Sequence, residues 1–434
     1  MSDVNVRKLI VETLTYNQNS SASVHFWIKF TLENYQYLDK RDRAFFTRVV
    51  EGTVEHGMEI DYILNYFSKT PVRKMDTEVR SILRMSVYQI KYMDSVPDSA
   101  AVNEAVKLIK KSKFKHLQAF VNGVLRNIVR NIDNMDYPDE KLNPYHYLEV
   151  KYSMPRWITG HWITEYGYEK TREICMAFYQ ERPNTIRHNT SKCTREELID
   201  SLESEGIVVT PVEGMDYAFE ISGYDHIAAI DAFQKGWFYV QDTSSMMVTE
   251  IADPKIGDYV VDVCAAPGGK SCHMADRLNG TGMVDTRDMF EDKVALIQQN
   301  IDRQGFTNMT VKVQDAMELD ESVVNKADIL ICDVPCSGLG VMGKKVDIRY
   351  HMNQDDQQML VGLQRKIVDT CCAYVKEGGT LIYSTCTIHK DENEGNVAWF
   401  LQEHPQFELV SQEQMFPGTK YHDGFFIAKL KRVR

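Results

Sequence analysis

The sequence predicts a multidomain chain: an all-α first part, a small α+β middle part, and an α/β last part built on a doubly wound sheet. Three observations predict it. Up to about residue 140 glycine is scarce (Gly52, Gly57, Gly123) and apolar residues return at helical spacing. From Tyr145 to about Lys235 aromatics and turn residues thicken, with Trp157 and Trp162 near the start. From Gly236 onward strand and helix alternate around one stretch, Asp258-Tyr-Val-Val-Asp-Val-Cys-Ala-Ala-Pro-Gly-Gly-Lys270. The boundaries follow as residues 1–140, 145–235 and 236–434 of a 434-residue chain.

In the first part, Val79, Ile82, Leu83, Val87 and Ile90 follow i, i+3, i+4 spacing and predict one buried stripe. Breaks are read near Asn17–Ser23, Tyr35–Asp39, Lys69–Met75 and Asp94–Ser99, with Ser99 as cap of the next helix. Short connections between helices imply a bundle. Lys107, Lys110, Lys111, Lys113, Lys115, Arg126 and Arg130 gather there against Glu104. Such a run reads either as a solvated helix face or as a phosphate-contacting surface.

In the middle part, Arg195–Glu205 is amphipathic and precedes a short strand, Ile207–Pro211. Gly236–Ser245 reads as a strand entering a helix capped by a serine or threonine.

The last part opens with the apolar run Tyr259–Val263, interrupted only by Asp262. Gly268 and Gly269 then let the backbone turn sharply at the mouth of a helix, where main-chain N–H groups are open to a ligand. A second strand, Gly282–Arg287, ends at Asp288, the spacing at which α/β nucleotide folds place a carboxylate on a ribose. Asp285 is a rival on the same strand. The loop is not G-x-G-x-x-G, which points away from a dinucleotide. Further strands are read at 309–313, 327–332, 380–384, 407–410 and 425–430. Cys336, in Asp333-Val-Pro-Cys-Ser-Gly-Leu-Gly340, and Cys386, in Ser384-Thr-Cys-Thr387, both follow strands, so both should face the crevice of the Gly-rich loop. Cys371 and Cys372 lie on a helix near 356–376 and read as packing residues.

Composition bounds the function. No apolar run approaches the ~20 residues of a membrane span. Nine scattered cysteines without a C-x-x-C pair argue against structural zinc and for a reducing cytoplasm, and no metal site is predicted. A net charge of −12 requires any nucleic-acid binding to use local basic patches.

Together, CAAPGGK, DVPCSGLG and STCT resemble the RNA (cytosine-C5) methyltransferases that use S-adenosylmethionine. Asp42–Gly52, Pro97–Lys111 and Phe120–Arg126 resemble the NusB-like RNA-binding domain that precedes the catalytic part in bacterial 16S ribosomal RNA methyltransferases of the RsmB (Sun) type. Arg182–Asn189 resembles the edge of that family's small middle module, and the likeness runs on to His422–Lys429. Val334 before Pro335 and the stretch Thr387–Asn393 are minor departures.

The resemblance implies a Rossmann-like methyltransferase domain and assigns S-adenosylmethionine to Cys264, Ala265, Ala266, Pro267, Gly268, Gly269 and Lys270, with Asp288 at the ribose and Asp315 at the adenine amine. It implies a thiolate adding to carbon 6 of a cytosine, which makes carbon 5 nucleophilic enough to take a methyl group. A Pro-Cys nucleophile, as in the DNA enzymes, would be Cys336; the RNA family's Thr-Cys motif points to Cys386, with Cys336 assisting elimination. Asp333 is assigned to the cytosine edge or to a bridge with the cofactor. The implied partner is 16S ribosomal RNA, free or partly assembled, with cytosine 967 as the family target and a monomer as the acting form. Lys107, Lys110, Lys111, Lys113 and Lys115 would contact its backbone, as would Arg187 with Asn189, and Lys344, Lys345 and Arg349 on a glycine-bearing loop expected to move.

A nicotinamide-dependent dehydrogenase would share the fold signals but leave both cysteine motifs without a task. A noncatalytic RNA-binding factor would leave all three motifs so. Another RNA, such as a tRNA, is the alternative substrate.

Overall fold

A computed structural model describes residues 4–180, 183–418 and 423–434. Its contacts divide the chain into two units: residues 1–176 with 342–353, and residues 177–341 with 354–434.

The first unit is helical, as its apolar spacing predicts. Helices Val6–Gln18, Val24–Asn34, Lys40–Glu55 and Thr77–Tyr92 are each started by a side chain that accepts a bond from an otherwise orphaned N–H. The caps are Asn5, Ser23, Asp39 and Asp76, which is why the breaks fall where polar residues cluster. One break escaped the sequence: His56 separates Lys40–Glu55 from Gly57–Phe67 with no side-chain cap. Ser99 caps nothing, because helix Asp98–Lys111 begins at Asp98 behind Pro97. The stripe Val79, Ile82, Leu83 and Val87 is fully buried, and Val346, far along the chain, joins the same core.

The second unit holds two sheets. The smaller comprises β1 (Asn184–His188), β2 (Val208–Val212), β3 (Met215–Ser222) and β4 (Phe238–Val240), antiparallel throughout, in the order β2-β3-β1-β4. Helix Arg195–Ser204 packs beside it behind a Thr194–Glu197 capping box. Strand β1 is therefore interior to its sheet and not a surface edge. The helix after β4, Thr243–Ala252, is capped by Asp242 and not by the serine or threonine expected.

The larger sheet comprises β5 (Tyr259–Asp262), β6 (Met283–Asp288), β7 (Met309–Val313), β8 (Ala327–Asp333), β9 (Val375–Thr385), β10 (Phe407–Met415) and β11 (Phe425–Arg432). Its order is β10-β11-β9-β8-β5-β6-β7. Strands β9-β8-β5-β6-β7 run parallel, and β11 is inserted antiparallel between β9 and β10. Strand order reverses between β5 and β8, so a crevice opens at their carboxyl ends. That is the doubly wound arrangement predicted, with Val260, Val261, Leu330, Ile331, Leu381 and Ile382 filling its fully buried centre. Arg182 and His422 lie outside the described residues.

Candidate active site

Strand β5 delivers the chain to a turn that Gly268 makes with φ +98°, a conformation side-chain-bearing residues avoid. The turn is closed by Gly268 N–H donating to the Ala265 carbonyl at 2.6 Å. A Cβ on Gly269, the first residue of helix Gly269–Arg277, would come within 2.8 Å of the Tyr239 ring. Ala265 N–H donates to the Arg287 carbonyl at 2.9 Å, and Ala266 N–H to the Asp288 carboxylate at 3.3 Å, which seats the turn against the end of β6.

Asp285 and Asp288 are three residues apart on one strand and so leave it by opposite faces. Asp285 is taken up by Arg287 at 2.5 Å and by the Tyr259 hydroxyl at 3.0 Å. Asp288 receives long bonds from Ala266 N–H and from Phe290 N–H, both at 3.3 Å, with Lys293 Nζ 3.9 Å away, and keeps acceptor capacity for a ligand. Asp315, just past β7, is half-buried and accepts from Met317 N–H at 2.9 Å. Carboxylates at successive strand ends beside a bare turn suit a ligand rich in donors, as the hydroxyls, amine and ammonium of S-adenosylmethionine are. The residues present fit that cofactor.

Beside the turn stand the two thiols. Cys336 Sγ and Cys386 Sγ lie 3.2 Å apart. Lys270, from the Gly-rich turn, reaches Asp333 at 2.6 Å, whose other oxygen accepts from Ser384 Oγ at 2.8 Å. Burial pulls the Lys270 ammonium down, but the charge of Asp333, with a smaller share from Cys386, leaves it above its ordinary range. The hydrogen bond to Cys386, then burial, push the Cys336 thiol well above its usual value. The Cys336 loop is anchored: Gly340 N–H donates to the Cys386 carbonyl at 3.0 Å and Gly424 N–H to the Gly340 carbonyl at 2.8 Å. A Cβ on Gly340 would sit 2.0 Å from the Gly424 oxygen.

The proposed RNA contacts divide. Lys107, Lys110, Lys111, Lys113 and Lys115 are exposed, Lys107 with Glu104 at 2.6 Å, and Lys344 and Lys345 are exposed as well. Arg187 and Arg349 are corrections, each only 1% exposed. Arg187 points inward from β1 toward Gln304 and the Tyr239 ring, which cover that face of the strand. Asn189 is buried too, donating to the Gly236 and Gln304 carbonyls. Arg349 donates to the carbonyls of Glu55, Tyr152 and Met342, a buried fork satisfying backbone within the helical unit. Neither can meet a phosphate. Residues the sequence did not single out are Ser384, Ser337 and Glu392, although a charged residue soon after the Thr-Cys motif was a visible signal. Among the described residues no cluster of His, Cys, Asp and Glu could hold a metal, and no helix is long and apolar enough to cross a membrane.

Comparison with known proteins accords with this geometry. Family models match residues 4–130 (NusB family), 154–226 (Methyltr_RsmF/B-like, ferredoxin-like domain) and 249–431 (16S rRNA methyltransferase RsmB/F). The chain is 34% identical to the probable ribosomal RNA small subunit methyltransferase B of Bacillus subtilis over 100% of both proteins. It is 28% identical to ribosomal RNA small subunit methyltransferase B of Vibrio cholerae, over 92% of this chain and 91% of that one. The crystal structure of PH0851 superposes with a TM-score of 0.81 at 25% identity, covering 99% of each chain. A methyltransferase homolog from Pyrococcus horikoshii gives 0.60 at 25% identity, over 67% of this chain and 99% of that one. A helical NusB domain, a Gly-rich turn with acids at the strand ends, and a close thiol pair thus sit in one polypeptide related end to end to these enzymes, and the chain belongs to the RsmB-type family of S-adenosylmethionine-dependent ribosomal RNA methyltransferases.

Proposed function

We propose that this enzyme methylates carbon 5 of a cytosine in 16S ribosomal RNA, the family target cytosine 967, through a transient bond between Cys386 and carbon 6. The observation that carries the reading is the 3.2 Å approach of Cys336 and Cys386 beside the Lys270–Asp333 pair. Bound S-adenosylmethionine supplies an electrophilic methyl on a sulfonium. The turn 264–270, Asp288 and Asp315 hold it.

Two thiols suit this chemistry because the reaction makes and then breaks a carbon–sulfur bond. A thiolate is the competent nucleophile, and the Lys270 ammonium, within electrostatic reach of Cys386, favours that form. Cys336, held protonated, donates its S–H to the Cys386 sulfur. Once carbon 5 carries its methyl, its proton passes to water, the freed C–H electron pair restores the C5–C6 double bond, and Cys386 leaves as a thiolate. Cys336 assists by donating its S–H to that departing sulfur. Asp333, held by Lys270 and Ser384, presents an acceptor edge to the cytosine amino group. The base must leave its stack to reach the thiols, which costs a few kcal/mol in a duplex and less in a loop. The exposed lysines of the helical unit and Lys344 and Lys345 steady the RNA backbone.

The test uses methyl-labelled cofactor and small-subunit RNA. Cys386→Ala should lower methylation by at least about a thousandfold. Cys336→Ala should instead accumulate a protein–RNA adduct that runs slowly on a denaturing gel. An adduct from Cys386→Ala and none from Cys336→Ala would reverse the two roles.

A further inference from the structure

Behind the two thiols lies a buried polar cluster that the chemistry above does not use. Glu392 is 0% exposed. Its carboxylate accepts from Ser337 N–H at 2.9 Å, from Ser337 Oγ at 2.5 Å and from Gln364 Nε2 at 2.8 Å. Ser337 Oγ is also 2.7 Å from Thr387 Oγ1. The neighbouring Asn393, likewise 0% exposed, accepts from Thr385 Oγ1 at 2.5 Å and donates to the Thr387 carbonyl at 3.1 Å.

The partners are not scattered. Ser337 follows Cys336, and Thr385 and Thr387 flank Cys386. Two adjacent residues thus grip the chain on one side of one thiol and on both sides of the other. A buried carboxylate is a poor device for stability alone, since apolar residues of similar volume commonly serve as well. Four directed hydrogen bonds onto two loops are a good device for position. Thiols on separate loops need such a tie, because a misplacement of about 1 Å costs about 100-fold in rate.

We propose that Glu392 and Asn393 form a clamp whose hydrogen bonds to Ser337, Thr385 and Thr387 set the separation of the Cys336 and Cys386 sulfurs. They are positioning residues, and the proposal rests on reading those sulfurs as the reacting pair. The amide of Asn393 holds the Cys386 segment, and the carboxylate of Glu392 draws the Cys336 loop onto it.

Thiol separation can be read without methylation. Phenylarsine oxide condenses with two nearby thiols to give one arsenic bridged by two sulfurs and one water, and it requires the sulfurs to be close. The full chain should bind it, with Cys336→Ala giving the background from other cysteines. Glu392→Ala should bind at that background and lose about 100-fold in kcat with KM for the cofactor unchanged. Glu392→Gln should restore both, because an amide still offers an acceptor to Ser337 N–H and a donor to Ser337 Oγ. Wild-type arsenical binding by Glu392→Ala overturns the clamp, as does a Glu392→Gln protein as defective as the alanine variant. If Glu392→Ala does not fold, Ser337→Ala is read the same way: weakened binding supports the clamp and wild-type binding overturns it. If Cys386→Ala still methylates RNA, the reading of the reaction fails while the arsenical result stands independently.

Discussion

Asp262 shows how one residue's burial sets its chemistry. It is the only charged member of β5, 0% exposed, and it accepts from Ser271 Oγ at 2.5 Å. Burial raises its pKa to about 7, against the smaller opposing effect of the serine. The folded chain therefore keeps the proton over a range where the unfolded chain, with an ordinary value of 3.8, has lost it. Between about pH 4 and about pH 7 this group makes stability fall as pH rises. Asp262→Asn should melt close to wild type at about pH 4 and above it near pH 8.5, as thermal scans of cofactor-free protein would register. A difference independent of pH would show that the carboxyl is charged throughout. The same scale separates Asp285 from Asp288, one absorbed by Arg287 and one left open at the strand end.

At the scale of the element, helices of the first unit are joined by a charged hub. Glu59, on helix Gly57–Phe67, is 1% exposed and takes hydrogen bonds from Tyr92, on helix Thr77–Tyr92, and from Tyr137 at 2.6 Å, with Lys91 at 3.1 Å. Burial pushes its pKa up, but the bonds from His56, Tyr137 and Tyr92 and the charge of Lys91 outweigh it and hold the value at about 2. A depressed acid contributes stability that is complete above its ordinary value of 4.5 and is lost as pH falls toward 2. Glu59→Gln leaves the half-buried Lys91 without its counter-charge and should cost about 2–3 kcal/mol in urea unfolding at neutral pH. The penalty should shrink as the pH is lowered below about 4. Packing also decided the fate of Arg187: the face of β1 that carries it is covered by Gln304 and the Tyr239 ring.

For the whole molecule, a net charge of −12 must coexist with RNA binding. The exposed lysines of 107–115 concentrate positive charge, and with Arg187 and Arg349 buried the proposed binding rests more on them. Each phosphate contact releases counterions, so log K should fall with log salt by about 0.7–0.9 per contact. Replacing Lys110, Lys111, Lys113 and Lys115 by alanine should flatten that slope by about 3 units in filter binding with small-subunit RNA, leaving the melting temperature unchanged. An unaltered slope would place the RNA on another face.

Much of this protein was legible in the sequence because local rules write it there. Helical spacing, polar breaks, β-branched runs and glycine turns are short-range signals, and they located every strand of the larger sheet and the motifs at its strand ends. Composition likewise pointed to a helical unit bearing exposed lysines. What only the tertiary structure decided concerns neighbours distant in the chain. Whether an arginine meets water or a carbonyl depends on which strands or helices cover it. The approach of two sulfurs 50 positions apart depends on β8 and β9 lying side by side. The Glu392–Asn393 grip on both loops exists only once the sheet has formed, for a hydrogen bond is made by position in space and sequence records only order along the chain.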